Sequence, residues 1–178
     1  QTALAIEQRY YLVHESEKTN ALTRLFEIEP IHSALIFART RAETASLANE
    51  LVVRGIPAEA IHGDLDQNAR ERVLGRFRAN QIKVLVATDV AARGLDIEDI
   101  SHVFNYHLPD DAEVYIHRIG RTGRAGKTGI AITLLSPKEK RKMREVEALT
   151  KQVATKGELP TPADIVSHRE TQVVENLK

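Results

Sequence analysis

Three arginines and a histidine crowd one short stretch of the chain, HRIGRTGR at residues 117–124. His117, Arg118, Arg121 and Arg124 lie within these eight positions, with two glycines between them. Like charges this close repel each other, so the arrangement is stable only if an anionic partner compensates it. Planar guanidiniums bind phosphoryl oxygens in pairs and stay charged, which suits the stabilisation of phosphoryl transfer. The stretch therefore predicts a phosphate-binding site.

The charge distribution also indicates an anion site. The 178 residues carry 25 basic and 25 acidic side chains, so the formal net charge is zero. Residues 115–144 hold nine Lys and Arg but only Glu139 as an acid, a local charge of +8, which leaves 16 basic and 24 acidic residues, or −8, elsewhere. A basic zone on an acidic body attracts anions locally. The run KEKRKMR at 138–144 has a second interpretation as a solvated helix face.

Composition is that of one ordinary globular domain, with 42% hydrophobic and 28% charged residues. There is no cysteine, which excludes disulfides and thiolate metal sites, and no apolar run is long enough to span a membrane. We expect a cytoplasmic protein without a metal site of its own. Gln1 is the first residue and Met143 the only methionine, so we expect a chain that is processed or cut from a longer protein.

Short apolar runs alternate with longer helix-like stretches. The runs that predict β-strands are RYYLV (9–13), ALIFA (34–38), VLVA (84–87), HVFNY (102–106) and GIAITLL (129–135). Three helix starts are indicated, by Thr40 with Glu43, by Ser136 with Glu139, and by Thr161 with Pro162 and Asp164. This alternation predicts an α/β fold, a parallel sheet with helices on both faces and ligands at the carboxyl ends of its strands.

The basic stretch itself allows two interpretations. A helix that begins near Asp111 and continues through it would place His117, Arg121 and Arg124 on one outward face. RTGRAGKT at 121–128 nearly matches a phosphate loop, but Arg121 replaces the first glycine and the stretch leads into a strand instead of opening a helix. We therefore reject the phosphate loop and expect another lobe to hold the nucleotide.

Four motifs, in one order along the chain, resemble those of the DEAD-box RNA helicases. They are ALIFART at 34–40, similar to motif IV, HGDLDQNAR at 62–70, similar to the motif that follows it, VATDVAARGLDI at 86–97, similar to motif V, and HRIGRTGR, similar to motif VI. The resemblance covers about residues 8–150, the second RecA-like lobe of the family. The tail ELPTPADI is similar to that of bacterial cold-shock members.

The resemblance implies a RecA-like helicase C-terminal lobe at residues 1–155 and a C-terminal helical extension at 156–178. It also implies that ATP and Mg²⁺ are held mainly by a first lobe, which carries the phosphate loop and the DEAD carboxylates and lies outside this sequence. The expected partners are RNA and that N-terminal RecA-like lobe. RNA-stimulated ATP hydrolysis is expected of the full-length protein and not of this chain alone.

Three residues would act in catalysis if the resemblance holds. Arg121 and Arg124 would be arginine fingers that contact the γ-phosphate of ATP, and His117 would link the nucleotide site to the DEAD carboxylates. A surface salt-bridge pair is the alternative for the two arginines, and a capping or core histidine is the alternative for His117.

The implied nucleotide-binding residues are Asp96, Arg93 and Arg118. Asp96 would bond the ribose and Arg93 would lie near the phosphates. Arg118 has a second interpretation, in which it braces motif V through Asp96. An aspartate at a loop turn is also common without any ligand.

RNA contacts are expected at the carboxyl ends of the strands as well, beside the nucleotide-binding residues. The implied residues are Thr40, Gly63, Gln67, Arg70 and Thr88. Contacts to phosphates and 2′-hydroxyls distinguish RNA from DNA but do not read bases, so binding should be nonspecific in sequence. The capping-box role of Thr40 is a full structural explanation in its own right.

Two positions depart from the family pattern. His107 stands where the VFNYHLP segment more often has aspartate, and we expect it to alter a salt bridge near motif VI. Asn80-Gln81 replaces a glycine turn, which should cost little because Asn tolerates a left-handed turn.

Other functions stay open from the sequence. A DNA translocase lobe of the same superfamily shares the two arginines, although His117 before Arg118 and the run ARGLD favour the RNA family. A non-catalytic RNA-binding or assembly module is a second alternative. An apolar stripe in the tail allows a homodimer through the extension or packing on the chain's own lobe; its residues are Ile165, Val166, Val173, Val174 and Leu177.

Overall fold

A computed structural model describes residues 6–95, 97, 100–123 and 128–176 of the chain. Its strands are β1 (Ile6–Leu12), β2 (Ala34–Phe37), β3 (Ala58–Ile61), β4 (Val84–Ala87), β5 (His102–Asn105), β6 (Gly129–Leu135) and β7 (Thr155–Lys156). Its α-helices are α1 (Lys18–Ile28), α2 (Arg41–Val53), α3 (Gln67–Arg78), α4 (Asp89–Ala92), α5 (Ala112–Ile119), α6 (Lys140–Thr150) and α7 (Pro162–Asn176). Short 3₁₀ helices, Glu15–Glu17 and Pro137–Glu139, precede α1 and α6.

The strands form one sheet in the order β3-β4-β2-β5-β6-β1-β7, and every pair is parallel. This confirms the predicted α/β architecture, and all five predicted strands lie in the sheet. The pattern did not predict β3 or β7. The sequence of β3, AEAI, has none of the branched residues that favour strands except its last, and β7 has only two residues.

Central strands of the sheet are buried on both faces, which explains their unbroken apolar runs. Ile36 of β2 packs with Leu22 of α1 and Leu51 of α2, whereas Leu35 packs with Leu74 and Phe77 of α3 on the opposite face. Successive side chains of a strand point to opposite faces, so a strand covered by helices on both sides is apolar at every position. A third apolar cluster lies under α5 and α6.

The predicted helix starts are confirmed. The Thr40 hydroxyl accepts the Glu43 N–H at 3.0 Å, and Ser136 and Glu139 form a reciprocal capping box. Thr161 and Asp164 exchange bonds of 2.9 and 3.1 Å at the start of α7. These bonds join residues three apart, so a local pattern is enough to predict them.

The predicted turn after α3 is also confirmed. Asn80 adopts a left-handed conformation, with φ of 61°. Its N–H donates to the Phe77 carbonyl at 3.1 Å, and the Gln81 N–H donates to the Arg76 carbonyl at 2.8 Å. Asn therefore does here what glycine commonly does at a helix end.

One prediction about the basic stretch is wrong. The helix α5 begins after its Asp111 cap, as expected, but it ends at Ile119, with Gly120 as the capping residue. Arg121 therefore lies beyond the helix and does not share a helix face with His117; Arg124 lies outside the described residues. Gly123 has a φ of 71°, a value that interrupts a helix and that glycine adopts without strain.

The C-terminal extension packs against the lobe, and both β7 and α7 contact it. The predicted boundary between residues 155 and 156 falls within β7, which pairs with β1 at the sheet edge. Arg169 of α7 forms a salt bridge with Glu27 of α1. Val166, Val173 and Val174 are exposed, and Leu177 lies outside the described residues. None of the helices in the described ranges is long and apolar enough to span a membrane.

His102 lies in the core at the start of β5. Its ring stacks on Phe104 at 6.1 Å between centroids. Its buried Nε2 atom lies 3.8 Å from Glu29 and has no hydrogen-bond partner among the described residues. Burial lowers the pKa of this imidazole to about 4, although the Glu29 carboxylate opposes the change. The side chain is therefore neutral in the folded protein at pH 7.

This burial predicts an acid-sensitive fold. Between pH 6.5 and 4 the unfolded chain binds a proton at His102 that the folded chain does not, so the free energy of unfolding should fall by about 2 kcal/mol from pH 7 to pH 5 through this residue. In urea titrations, His102→Asn should reduce this pH dependence, whereas His14→Asn, at an exposed position, should not. Equal pH dependence in both variants would contradict the assignment.

Candidate functional site

The carboxyl edge of the sheet carries a cavity of about 260 Å³. It lies next to the ends of β2 and β4 and alongside α5, as expected for a ligand site in a parallel sheet. Its lining includes the side chains of Phe37, Asp89, Arg93, His117, Arg118 and Arg121. The structure therefore brings together four of the predicted catalytic and nucleotide-binding residues.

Arg118 lies at the inner wall of this cavity and is 5% exposed. Its Nε and Nη2 atoms donate to the two carboxylate oxygens of Asp89, each at 2.8 Å. Its Nη1 atom donates to the Asn105 side chain and to the His107 carbonyl, both at 3.1 Å. The guanidinium also lies 5.0 Å from the ring centre of Phe37.

Through these contacts Arg118 braces the segment after β4, as one interpretation of the sequence proposed, and the partner seen here is Asp89. The brace holds the segment at 86–97 through Asp89, and Asp96 lies outside the described residues. A direct contact of Arg118 with a nucleotide stays a prediction.

Arg121 is held against the backbone that follows β4. Its guanidinium donates to the carbonyls of Ala92 and Leu95, each at 2.8 Å. Arg70 donates to the neighbouring Ala91 carbonyl at 2.9 Å. Carbonyls at the end of a helix lack partners within the helix and attract cations, so the two arginines stabilise the end of α4.

The other predicted nucleotide-side residues are accessible. The His117 side chain is 73% exposed, and its Nε2 atom lies 3.7 Å from Glu113 one turn earlier. Arg93 follows the last residue of α4 and is exposed. Arg124 and Asp96 lie outside the described residues.

The predicted RNA-binding residues follow three neighbouring strands. Thr40, Gly63 and Thr88 come shortly after β2, β3 and β4, which are adjacent in the order β3-β4-β2. Thr88 also caps α4, since its hydroxyl accepts the Ala91 N–H at 3.3 Å. A Cβ added at Gly63 would meet no atom within 4 Å, so its backbone is open to a ligand. The sheet thus places these candidates along one edge.

Two further candidates project from α3 beside this row. Arg70 is half-buried because of its bond to the Ala91 carbonyl. Gln67 is exposed and donates to Glu71 at 3.1 Å. The loop between β3 and α3 is fixed by an Asp64 ion pair with Arg41 and by a 3.2 Å bond from the Asp64 N–H to His62.

Comparison with known proteins identifies the family. The model of the helicase conserved C-terminal domain matches residues 17–126. The chain is 51% identical over 160 residues to an ATP-dependent RNA helicase CshA of Listeria monocytogenes, covering 90% of this chain and 31% of that protein. The chain belongs to the DEAD-box helicase family and corresponds to the C-terminal helicase domain of its members. It spans about a third of the length of the curated relatives it matches.

Solved structures agree with this assignment. A DEAD box protein from the hyperthermophile Methanococcus jannaschii superposes with a TM-score of 0.80 at 45% identity, over 86% of this chain and 42% of that one. The S. cerevisiae protein Dbp5, bound to RNA and ADP BeF3, superposes with a TM-score of 0.80 at 34% identity, over 99% of this chain and 46% of that one.

His107 gives this DEAD-box domain a network that sequence reasoning anticipated only as an altered salt bridge. The ring is nearly buried, with Nε2 2.7 Å from Glu43 and Nδ1 3.2 Å from the fully buried Lys18. Burial alone would raise the pKa of the Glu43 carboxyl, but hydrogen bonds from His107 and from the Arg39 N–H outweigh it and lower that pKa. The only feature of the sequence that pointed to this network was the histidine at position 107.

Sequence reasoning also missed two cations beside Thr40. The side chains of Arg39 and Arg41 are 55% and 61% exposed. They flank Thr40 in the run ARTR, at the amino end of α2, where backbone N–H groups favour anions. Because they flank Thr40, a predicted phosphate contact, the sequence could have identified both arginines as candidate RNA contacts.

The Arg118 brace predicts a large loss of stability from a substitution that keeps the charge. Arg118→Lys loses the paired bonds to Asp89 and leaves buried acceptors unsatisfied, so the free energy of unfolding should fall by about 2 to 3 kcal/mol. Urea denaturation of this chain measures it. His117→Gln, at the exposed neighbouring position, should change the stability by less than about 0.5 kcal/mol. Equal effects of the two substitutions would refute the brace.

Proposed function

We propose that this chain is the second lobe of an ATP-dependent RNA helicase. It supplies arginine fingers to ATP bound on a first lobe and contributes half of the track that binds the RNA backbone. The observation that carries this proposal is the sheet edge itself, where Arg93, His117 and Arg121 border one cavity and the RNA candidates follow three adjacent strands. The two groups share α4, which Arg121 and Arg70 both contact.

The nucleotide part of the proposal rests on the chemistry of the donors. Guanidiniums give paired, permanently charged bonds to phosphoryl oxygens. A phosphate accepts stronger bonds than the neutral carbonyls of Ala92 and Leu95 do, so Arg121 would move its donors to the γ-phosphate when the lobes close. Arg124 would act with it, and Arg93 and Asp96 would contact the nucleotide. Mg²⁺ and the triphosphate would be held mainly by the first lobe.

The RNA part rests on backbone and hydroxyl groups. The Thr40 hydroxyl accepts the Glu43 N–H and retains its own hydrogen to donate to a phosphate oxygen. Gly63 leaves its backbone open, and Gln67 and Arg70 project from α3. Such contacts recognise sugar and phosphate, which agrees with sequence-nonspecific binding. The pairing of two chains through the exposed valines of α7 stays a prediction.

The finger assignment predicts a selective loss of turnover in the full-length helicase. Arg121→Lys and Arg124→Lys keep a positive charge but lose the planar fork, so each should lower kcat by about two to four orders of magnitude, with little change in ATP affinity. Steady-state ATPase assays with RNA measure it, and this chain alone should show no RNA-stimulated turnover. Arg76→Lys, on the outer surface of α3, is the matched control. Near-normal kcat in both finger variants would refute the assignment.

The RNA track predicts weak, salt-sensitive binding by this chain. Two or three phosphate contacts should give a slope of log K against log salt of roughly −1.5 to −2 on single-stranded RNA. Arg70→Ala should flatten the slope by about 0.7, whereas Arg76→Ala on the same helix should not. Fluorescence anisotropy at several salt concentrations measures both. If Arg70→Ala lowers the affinity at an unchanged slope, Arg70 only supports α4 and is not an RNA contact.

A further inference from the structure

His107 occupies a buried position between two elements of the carboxyl edge. Its side chain is 7% exposed, and its ring lies between Glu43 on α2 and Lys18 on α1. The Glu15 carboxylate lies 3.6 Å from Nδ1 and 3.2 Å from the Lys18 ammonium. The edge of the ring also faces Tyr106, at 5.0 Å between ring centres. Charged groups of both signs therefore surround this imidazole.

The partners of the ring determine where its proton lies. The Lys18 ammonium has only hydrogens to offer, so Nδ1 must accept a bond from it at 3.2 Å. The proton is therefore on Nε2, which donates to Glu43 Oε2 at 2.7 Å.

Glu43 connects His107 to the start of α2. Its second carboxylate oxygen accepts the Arg39 N–H at 2.8 Å, and its own N–H donates to the Thr40 hydroxyl at 3.0 Å. A Glu at this position of a capped helix commonly bonds only the local backbone. Here its other oxygen is bound from the loop after β5, which fixes the carboxylate from two sides.

The backbone of His107 is fixed as well. Its carbonyl accepts a bond from Arg118 at 3.1 Å, and Arg118 is held by Asp89. An aspartate at this position could accept a hydrogen bond from Lys18, but it has no N–H to donate to Glu43. The histidine thus adds a bond to α2 that the more common residue would lack.

We propose that His107 is a positioning residue, whose Nε2–H bond to Glu43 holds Arg39 and Thr40 in the orientation that contacts an RNA phosphate. It acts through Glu43 and does not touch the ligand. The inference rests on the proposed RNA role of the start of α2. It extends that role to a buried residue on a different element.

A matched pair of substitutions separates the two nitrogen positions of the ring. The amide of His107→Asn lies near the Nδ1 position, so it can accept from Lys18 but does not reach Glu43. The longer His107→Gln places its amide near the Nε2 position, so it can donate to Glu43 and gives up the bond to Lys18. Glu43→Gln is a third variant that keeps the acceptor for Arg39 and presents an amide N–H to the His107 donor.

Two measurements on this chain test the proposal. Amide hydrogen exchange at Arg39 and Glu43 should be faster in His107→Asn and Glu43→Gln than in the wild type, and close to wild type in His107→Gln. The affinity for single-stranded RNA, by fluorescence anisotropy at low salt, should fall about fivefold in His107→Asn and Glu43→Gln and be retained in His107→Gln. Urea denaturation checks that each variant is folded under these conditions.

The outcomes separate this proposal from the proposed function. If the wild-type chain does not bind RNA, the RNA track fails, while the exchange rates still decide whether His107 holds the start of α2. If RNA binds and the Asn and Gln variants at 107 lose affinity equally, or neither does, the positioning role is refuted. Should His107→Gln fail to fold, unchanged exchange and affinity in Glu43→Gln would refute it as well.

Discussion

The carboxyl edge of this domain depends on the buried guanidinium of Arg118. The Arg118 guanidinium is compensated by a paired bond to Asp89, and it also donates to the Asn105 side chain and the His107 carbonyl. Removing a charge from water is expensive, and the protein interior strengthens its attraction to a partner, so a buried guanidinium requires well-placed acceptors. These acceptors lie just after β4 and at or just beyond the end of β5, while Arg118 belongs to α5. One side chain therefore sets the relative positions of three segments beside the cavity.

Two other arginines of the site have structural contacts as well as a proposed ligand role. Arg121 and Arg70 bond the Ala92 and Ala91 carbonyls at the end of α4, a helix of only four residues whose own hydrogen bonds are too few to stabilise it. The same donors suit phosphate oxygens. A nucleotide or an RNA strand that attracts one of these arginines would therefore change the support of α4, and this gives the two proposed binding regions a shared physical element.

His107 shows how a single departure from a family pattern changes the contacts around it. A neutral imidazole has a donor and an acceptor on opposite sides of one ring, so it can join an ammonium to a carboxylate where an aspartate would bind only the ammonium. In this chain the ring joins α1 to α2 beneath the predicted RNA-facing residues.

The sequence by itself determined the strands with branched apolar runs, the three capped helix starts, the left-handed turn at Asn80 and the family. Each depends on residues close in the chain or on residue types in a fixed order. Only the tertiary structure decided that Arg118 binds Asp89, that α5 ends before Arg121, and that Arg70 and Arg121 meet at α4. The arginines and their hydrogen-bond partners are 21 to 29 residues apart in the chain and come together through the order of the strands in the sheet. Side-chain packing on both faces of the sheet selects that order, and local periodicity does not encode it.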